Sequence, residues 1–172
     1  QIGAKVVTTE AQPEQYVLVE TAWELVSPTD QDWSMFIHLV TPDDVIISQR
    51  DIYPGGGKLA TSDMPSGYSW ADTTAVWVPF TANAPATLDV RVGWYNHATG
   101  ERLVDTDGRE SYSIGQVQLQ PRASDLDLPN PISVNFGGLL ELVGYSLTDL
   151  SPSAGATIEL TLCWRALQSI PD

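Results

Sequence analysis

The sequence predicts an all-β fold: an antiparallel β-sandwich, immunoglobulin-like or jelly-roll-like, followed by the first strands of a second repeat. Three observations carry this expectation. Apolar residues alternate with polar ones at period two in several short stretches. Clusters of Gly, Pro, Asn and Asp punctuate those stretches at short spacing. No stretch between them has the 3.6-residue periodicity of a helix, so there is nothing to cover a parallel sheet.

The elements follow in order. In YVLVETAWELV (16–26), Val17, Val19, Thr21, Trp23 and Leu25 share one face, and Tyr16, Leu18, Glu20, Ala22, Glu24 and Val26 share the other. WSMFIHLV (33–40) is apolar on both sides, which suits an internal strand. TPDD (41–44) makes a turn with Pro second, and VIISQRD (45–51) returns as a hairpin. Residues 52–69 form a loop rich in Gly, Pro and Ser. WADTTAVWVPF (70–80) resumes the alternation with Trp70, Asp72, Thr74, Val76, Val78 and Phe80 on one side. In ATLDVRVGWYN (86–96), Leu88, Val90, Val92 and Trp94 point inward and Asp89, Arg91, Gly93 and Tyr95 outward. Turns at NHATG (96–100) and DTDG (105–108) flank a short strand, ERLV, and YSIGQVQL (112–119) closes the run.

PRASDLDLPNP (121–131) has three prolines and two acidic residues and reads as a linker. This divides the chain into a sandwich module over 1–120, a linker over 121–131 and a partial second repeat over 132–172. The repeat is legible by sliding: GYSLTDLSPSAGATIELTLCW (144–164) lies over GAKVVTTEAQPEQYVLVETAW (3–23) without a gap. Gly144 then falls on Gly3, Trp164 on Trp23, and Ile158, Leu160 and Leu162 on Val17, Val19 and Thr21. The partial repeat cannot bury its apolar alternation alone, so its strands are expected to dock on the first module or on another chain. Trp23, Trp94 and Trp164, on alternating apolar faces, are expected in the core.

Composition narrows the function classes. Hydrophobic residues make up 42% of the chain, enough to fold. The net charge of −14 repels phosphate backbones and anionic lipid headgroups, which argues against nucleic acid and bare membrane surfaces as partners. Cys163 is the single cysteine; on an alternating strand it reads as a small buried hydrophobe, and no disulfide can form within the chain. No segment reaches the ~18 apolar residues of a membrane span, so no direct insertion is expected. The chain opens on QIGAKVV without a visible signal peptide, as a piece excised from a longer protein would.

LTLCWRAL, MFIHLVTPDDVIISQRD, YPGGGKLATS and LDVRVGWYNHATGERL resemble the β-sandwich modules of bacterial cell-surface proteins. Such modules stand in tandem after the membrane-spanning part of glycosyltransferase-like proteins related to the protein-mannosyltransferase superfamily. The resemblance covers most of 16–119 and 136–167. It implies an extracytoplasmic, cell-surface setting and an accessory role, and it names no catalytic residue. Where such modules carry a tryptophan and a Pro-Gly-Glu turn after the glycine loop, this chain has Met64 and PSGY (65–68).

The candidate chemistry is sparse. Ser34 and His38 share a strand face about 13 Å apart at ~3.3 Å per residue, too far for a nucleophile and its base. His97 is explained by its turn. Glu20 and Glu24 are separated by about the same distance, beyond the ~5–9.5 Å of glycosidase carboxylates. Asp43 and Asp44 diverge in a turn. Asp105, Asp107 and Glu110 around Gly108 offer oxygen ligands suited to Ca²⁺ but lack the full spacing of a calcium loop. PGGGK (54–58) lacks the phosphate-loop spacing. No cofactor and no enzymatic reaction are expected. Tyr53, Tyr68 and Trp70 flank the glycine loop and are the candidate ligand-binding residues, since an exposed ring can stack on a sugar face. Two roles stay open: a glycan-binding accessory module that takes a neutral glycan, and a spacer whose faces contact neighbouring modules or self-associate through the C-terminal strands.

Overall fold

The computed structural model describes residues 3–122, 128–149 and 152–168. In chain order the strands are β1 (Gly3–Val6), β2 (Glu10–Ala11), β3 (Tyr16–Glu24), β4 (Trp33–Val40), β5 (Ile46–Ile52), β6 (Ser69–Trp77), β7 (Ala86–Asn96), β8 (Tyr112–Leu119), β9 (Asn130–Phe136), β10 (Leu140–Leu147) and β11 (Leu160–Ala166). They make three sheets, ordered β1-β3-β6, β2-β8-β7-β4-β5 and β11-β10-β9.

The first two sheets face each other as a sandwich, as the alternation requires. Val17, Val19, Val76 and Val78 come from one, and Met35, Ile37, Leu39, Leu88, Val90, Val92, Val117 and Leu119 from the other, each at most 2% exposed. At ~25 cal/mol per Å² of apolar surface, this layer is the main stabilising term. All ladders are antiparallel except the two-residue pairing Glu10↔Gln118 and Ala11↔Leu119, which is parallel.

β4 lies between β7 and β5 and is buried on both faces. Its inner face meets the core. Its outer face is covered by the segment after β7: Arg102 sits 5.1 Å over the Phe36 ring, and Glu110 runs close beneath. Gly93, opposite Phe36 on that outer face as expected, is therefore buried; a Cβ there would lie 2.3 Å from Phe36 Cζ and 2.4 Å from the Glu110 carbonyl. The expected ERLV strand reduces to one isolated bridge, Tyr95↔Arg102, followed by a single bond from Leu103 N to the Trp94 carbonyl (2.9 Å), and Val104 is exposed.

The third sheet shares no ladder with the sandwich. β9 starts at Asn130, inside the stretch read as linker, of which residues 123–127 lie outside those described. Polar contacts tie this sheet to one end of the sandwich. Ala84 N donates to Asn130 Oδ1 (2.9 Å), Asn130 Nδ2 donates to the Tyr145 carbonyl (3.3 Å), and the Tyr145 hydroxyl donates to Asn83. Arg122 bridges Glu14 and the Pro131 carbonyl.

The β1–β3 pairing recurs in β10–β11 at an offset of 141 positions (Gly3 to Gly144). Gly3↔Ala22, Ala4↔Thr21, Lys5↔Glu20 and Val6↔Val19 reappear as Gly144↔Cys163, Tyr145↔Leu162, Ser146↔Thr161 and Leu147↔Leu160. The next hydrogen bond matches too: Val7 N to Leu18 O at 2.9 Å, Thr148 N to Glu159 O at 3.1 Å. Trp164, expected in the core, is exposed, because no opposing sheet covers β11 among the described residues.

Candidate functional site

Tryptophans gather at the end of the sandwich away from the third sheet. Trp23 of β3 and Trp70 of β6 are cross-strand partners, and Trp94 of β7 meets both from the facing sheet. The rings stand edge to face: Trp23–Trp94 at 5.0 Å and 83°, Trp70–Trp94 at 6.0 Å and 82°. The Trp23 and Trp70 indole N–H groups are buried and have no hydrogen-bond acceptor, and such edge-to-face geometry is one in which an indole edge can meet a π face instead. Trp33 joins from the start of β4, its backbone N–H donating to Thr61 Oγ1 at 2.9 Å. Together with Leu103 these residues line a cleft of about 220 Å³.

The three aromatics expected to bind ligand are only partly brought together. Tyr68 is exposed and its ring lies 6.3 Å from that of Trp70, which is half-buried in the tryptophan cluster. Tyr53 instead lines a separate shallow hollow with Asp32, Lys58 and Leu59. The glycine loop is clamped onto the sheet: Gly55 N and Gly56 N donate to the two Asp72 carboxylate oxygens, each at 3.0 Å. Both glycines have φ near +65°, and a Cβ on Gly55 would lie 2.6 Å from Leu59 Cγ, so this turn demands glycine. Its backbone donors are occupied by a carboxylate of the chain itself.

A second aromatic pair lies where the sequence placed only an outer face. Tyr16 and Trp77 are cross-strand partners on the outer face of β3 and β6; both are exposed, with rings 4.9 Å apart at 61°. Leu18 is exposed on the same face of β3. Farther along the two strands, an open groove of about 440 Å³ runs past Lys5, Glu20, Ala22, Ala71 and Thr73. The signal was present in the alternation, which put Tyr16 and Trp77 outward; the register that makes them neighbours was not.

The titratable groups are committed to local partners. His38 stacks on Phe36 at 4.5 Å, and burial pushes its imidazole below the ordinary value, opposed by Asp51. Tyr95 donates to Asp51 at 3.1 Å, with His97 Nδ1 3.3 Å from the same hydroxyl. Asp105 accepts from the Tyr112 hydroxyl, from the Arg109 and Asp107 N–H groups and from the Arg109 guanidinium, which together hold its carboxyl down at about 2. Glu110 pairs with Arg102 at 3.0 Å rather than with the two aspartates. Among the described residues no three His, Cys, Asp or Glu side chains are grouped to hold a metal ion. Among them, too, no helix is long and apolar enough to cross a membrane.

No family model matches the chain, and no curated protein matches it.

Proposed function

We propose that the chain is a non-catalytic, extracytoplasmic module of a tandem β-sandwich array in a cell-surface, glycosyltransferase-like protein, and that its role is structural. It spaces neighbouring domains and contacts them through sheet faces. The observation that carries this reading is the recurrence of the β1–β3 register in β10–β11. Two strands paired in the same register at one fixed offset are what an array of successive similar domains would contain. The setting rests on the resemblance over 16–119 and 136–167 and on an acidic, soluble composition.

One observation favours a second reading, an accessory module that binds a neutral glycan. The exposed Tyr16–Trp77 pair, on the same sheet face as an open groove farther along the strands, offers stacking faces more accessible than the half-buried Trp70.

A single titration separates the two. Tryptophan fluorescence of the full chain is followed against a panel of neutral polysaccharides, in the native protein and in the Trp77→Ala and Trp70→Ala variants. The structural reading expects no saturable response to any of them. A saturable response abolished by Trp77→Ala would replace it with the glycan reading.

A further inference from the structure

The third sheet is strongly two-faced. Ile132, Val134 and Phe136 of β9, Leu140, Leu142, Tyr145 and Leu147 of β10, and Leu160, Leu162 and Trp164 of β11 fall on one face by their pairing. Phe136 and Trp164 touch across it, their rings 5.4 Å apart. Ser133, Glu141 and Arg165 lie on the other face, with Glu141 accepting from Ser133 and paired with Arg165 at 3.5 Å, and Gly144 and Cys163 lie there too, with Leu128 against Gly144. Among the described residues of the three strands this face carries no charged side chain; at its β9 end Asn130, Ile132 and Tyr145 already share a small hollow with Phe80, Ala82 and Ala84 of the first sandwich, and its β11 end is open to solvent.

The offset of 141 says what covers such a face. Val17, Val19, Thr21 and Trp23 are 0, 0, 3 and 8% exposed, while their counterparts Ile158, Leu160, Leu162 and Trp164 are 47, 53, 44 and 47% exposed. In the first unit the cover is the five-stranded sheet: Thr21 Oγ1 reaches Met35 Sδ at 3.7 Å, and Trp94 packs on Trp23. The free edge matches as well. β3 pairs β6 on the side away from β1, and β11, the counterpart of β3, pairs no strand on the side away from β10 among the described residues. Two sheets with apolar inner faces about 10 Å apart are the stable arrangement for strands of this pattern.

We infer that the open β11 side of this apolar face, with Ile158, Leu160, Leu162 and Trp164, is an interaction surface for the complementary half of a sandwich built like residues 24–122 of this chain. That partner has a five-stranded sheet to cover the face and a strand like β6 to pair with the free edge of β11. The inference rests on the tandem-module reading. The polysaccharide titration is decided by loss of the response in Trp77→Ala, on the first sandwich and away from Trp164, so either can fail without the other.

The test supplies the partner covalently. A second copy of residues 24–122 is joined after Trp164, keeping the spacing that follows Trp23 in the first unit. Amide exchange by mass spectrometry, binding of an apolar dye and light scattering are compared with those of the 172-residue chain. Exchange over 158–164 is expected to slow by ~100-fold or more, as for strands protected by global rather than local opening. Dye binding should fall and the extended chain should be monomeric. Leu160→Asp in the extended chain should restore fast exchange over 158–164 while leaving residues 16–24 protected. A grafted segment that exchanges as an unfolded chain beside an intact first sandwich would overturn the inference. So would a harmless Leu160→Asp. Protection of 158–164 already present in a dimer of the 172-residue chain would overturn it in favour of a second copy as the occupant.

Discussion

His38 shows how a single side chain is set by the layers around it. It lies on the outer face of β4, stacked on Phe36 under the cover of the segment after β7. Burial lowers its pKa from 6.5, and Arg102 and Arg91 act in the same direction, against Asp51. A lowered imidazole pKa means the fold prefers the neutral ring. Its contribution to stability is therefore fully present above about 6.5 and is lost as pH falls below that value toward the folded-state pKa. Urea midpoints taken at pH 7.5 and pH 5.5 should fall with acidity in the native chain and fall less in His38→Leu, which keeps the volume and removes the proton site. Equal falls in both proteins would show that burial of this ring is not coupled to folding.

At the scale of elements, the strands with long alternation were legible in the sequence. Residues 86–96 place Leu88, Val90 and Val92 inward as their spacing demands, and 33–40 is an internal strand as its two apolar faces demand. Short or irregular pieces were not legible. β2 is two residues long and held by a parallel register with β8, which no local pattern encodes. The fold of 97–111 over β4 depends on Arg102 and Glu110 finding Phe36 and Gly93, contacts set by tertiary packing. Of the candidate binding residues, loop proximity grouped Tyr53 with Tyr68 and Trp70, but the glycine turn clamped by Asp72 carries Tyr53 to a different hollow. The Tyr16–Trp77 pair went unseen because it depends on the β3–β6 register. The join between the third sheet and the sandwich is a matter of a few hydrogen bonds, with Asn130 at its centre. Asn130→Ala would leave the Ala84 N–H without its acceptor at a cost of about 1–3 kcal/mol. The expected outcome is faster exchange of the Ala84 amide and a lower denaturation midpoint; an unchanged Ala84 amide would show that the join lies elsewhere.

The whole molecule is a closed sandwich carrying a three-stranded sheet that repeats the opening of that sandwich. The closed unit satisfies its apolar faces internally, and the open sheet does not. On the proposed reading, that contrast makes the molecule a unit of assembly, with a surface open to a sheet of its own kind. The measurement that tests this most directly is the cross-strand register of the two copies in solution, read from backbone nuclear Overhauser contacts. The contacts joining Ala4 to Thr21 and Lys5 to Glu20 are expected again between Tyr145 and Leu162 and between Ser146 and Thr161. A pairing of β10 with β11 shifted by even one residue from that of β1 with β3 would turn the apolar set to the opposite face and contradict the account.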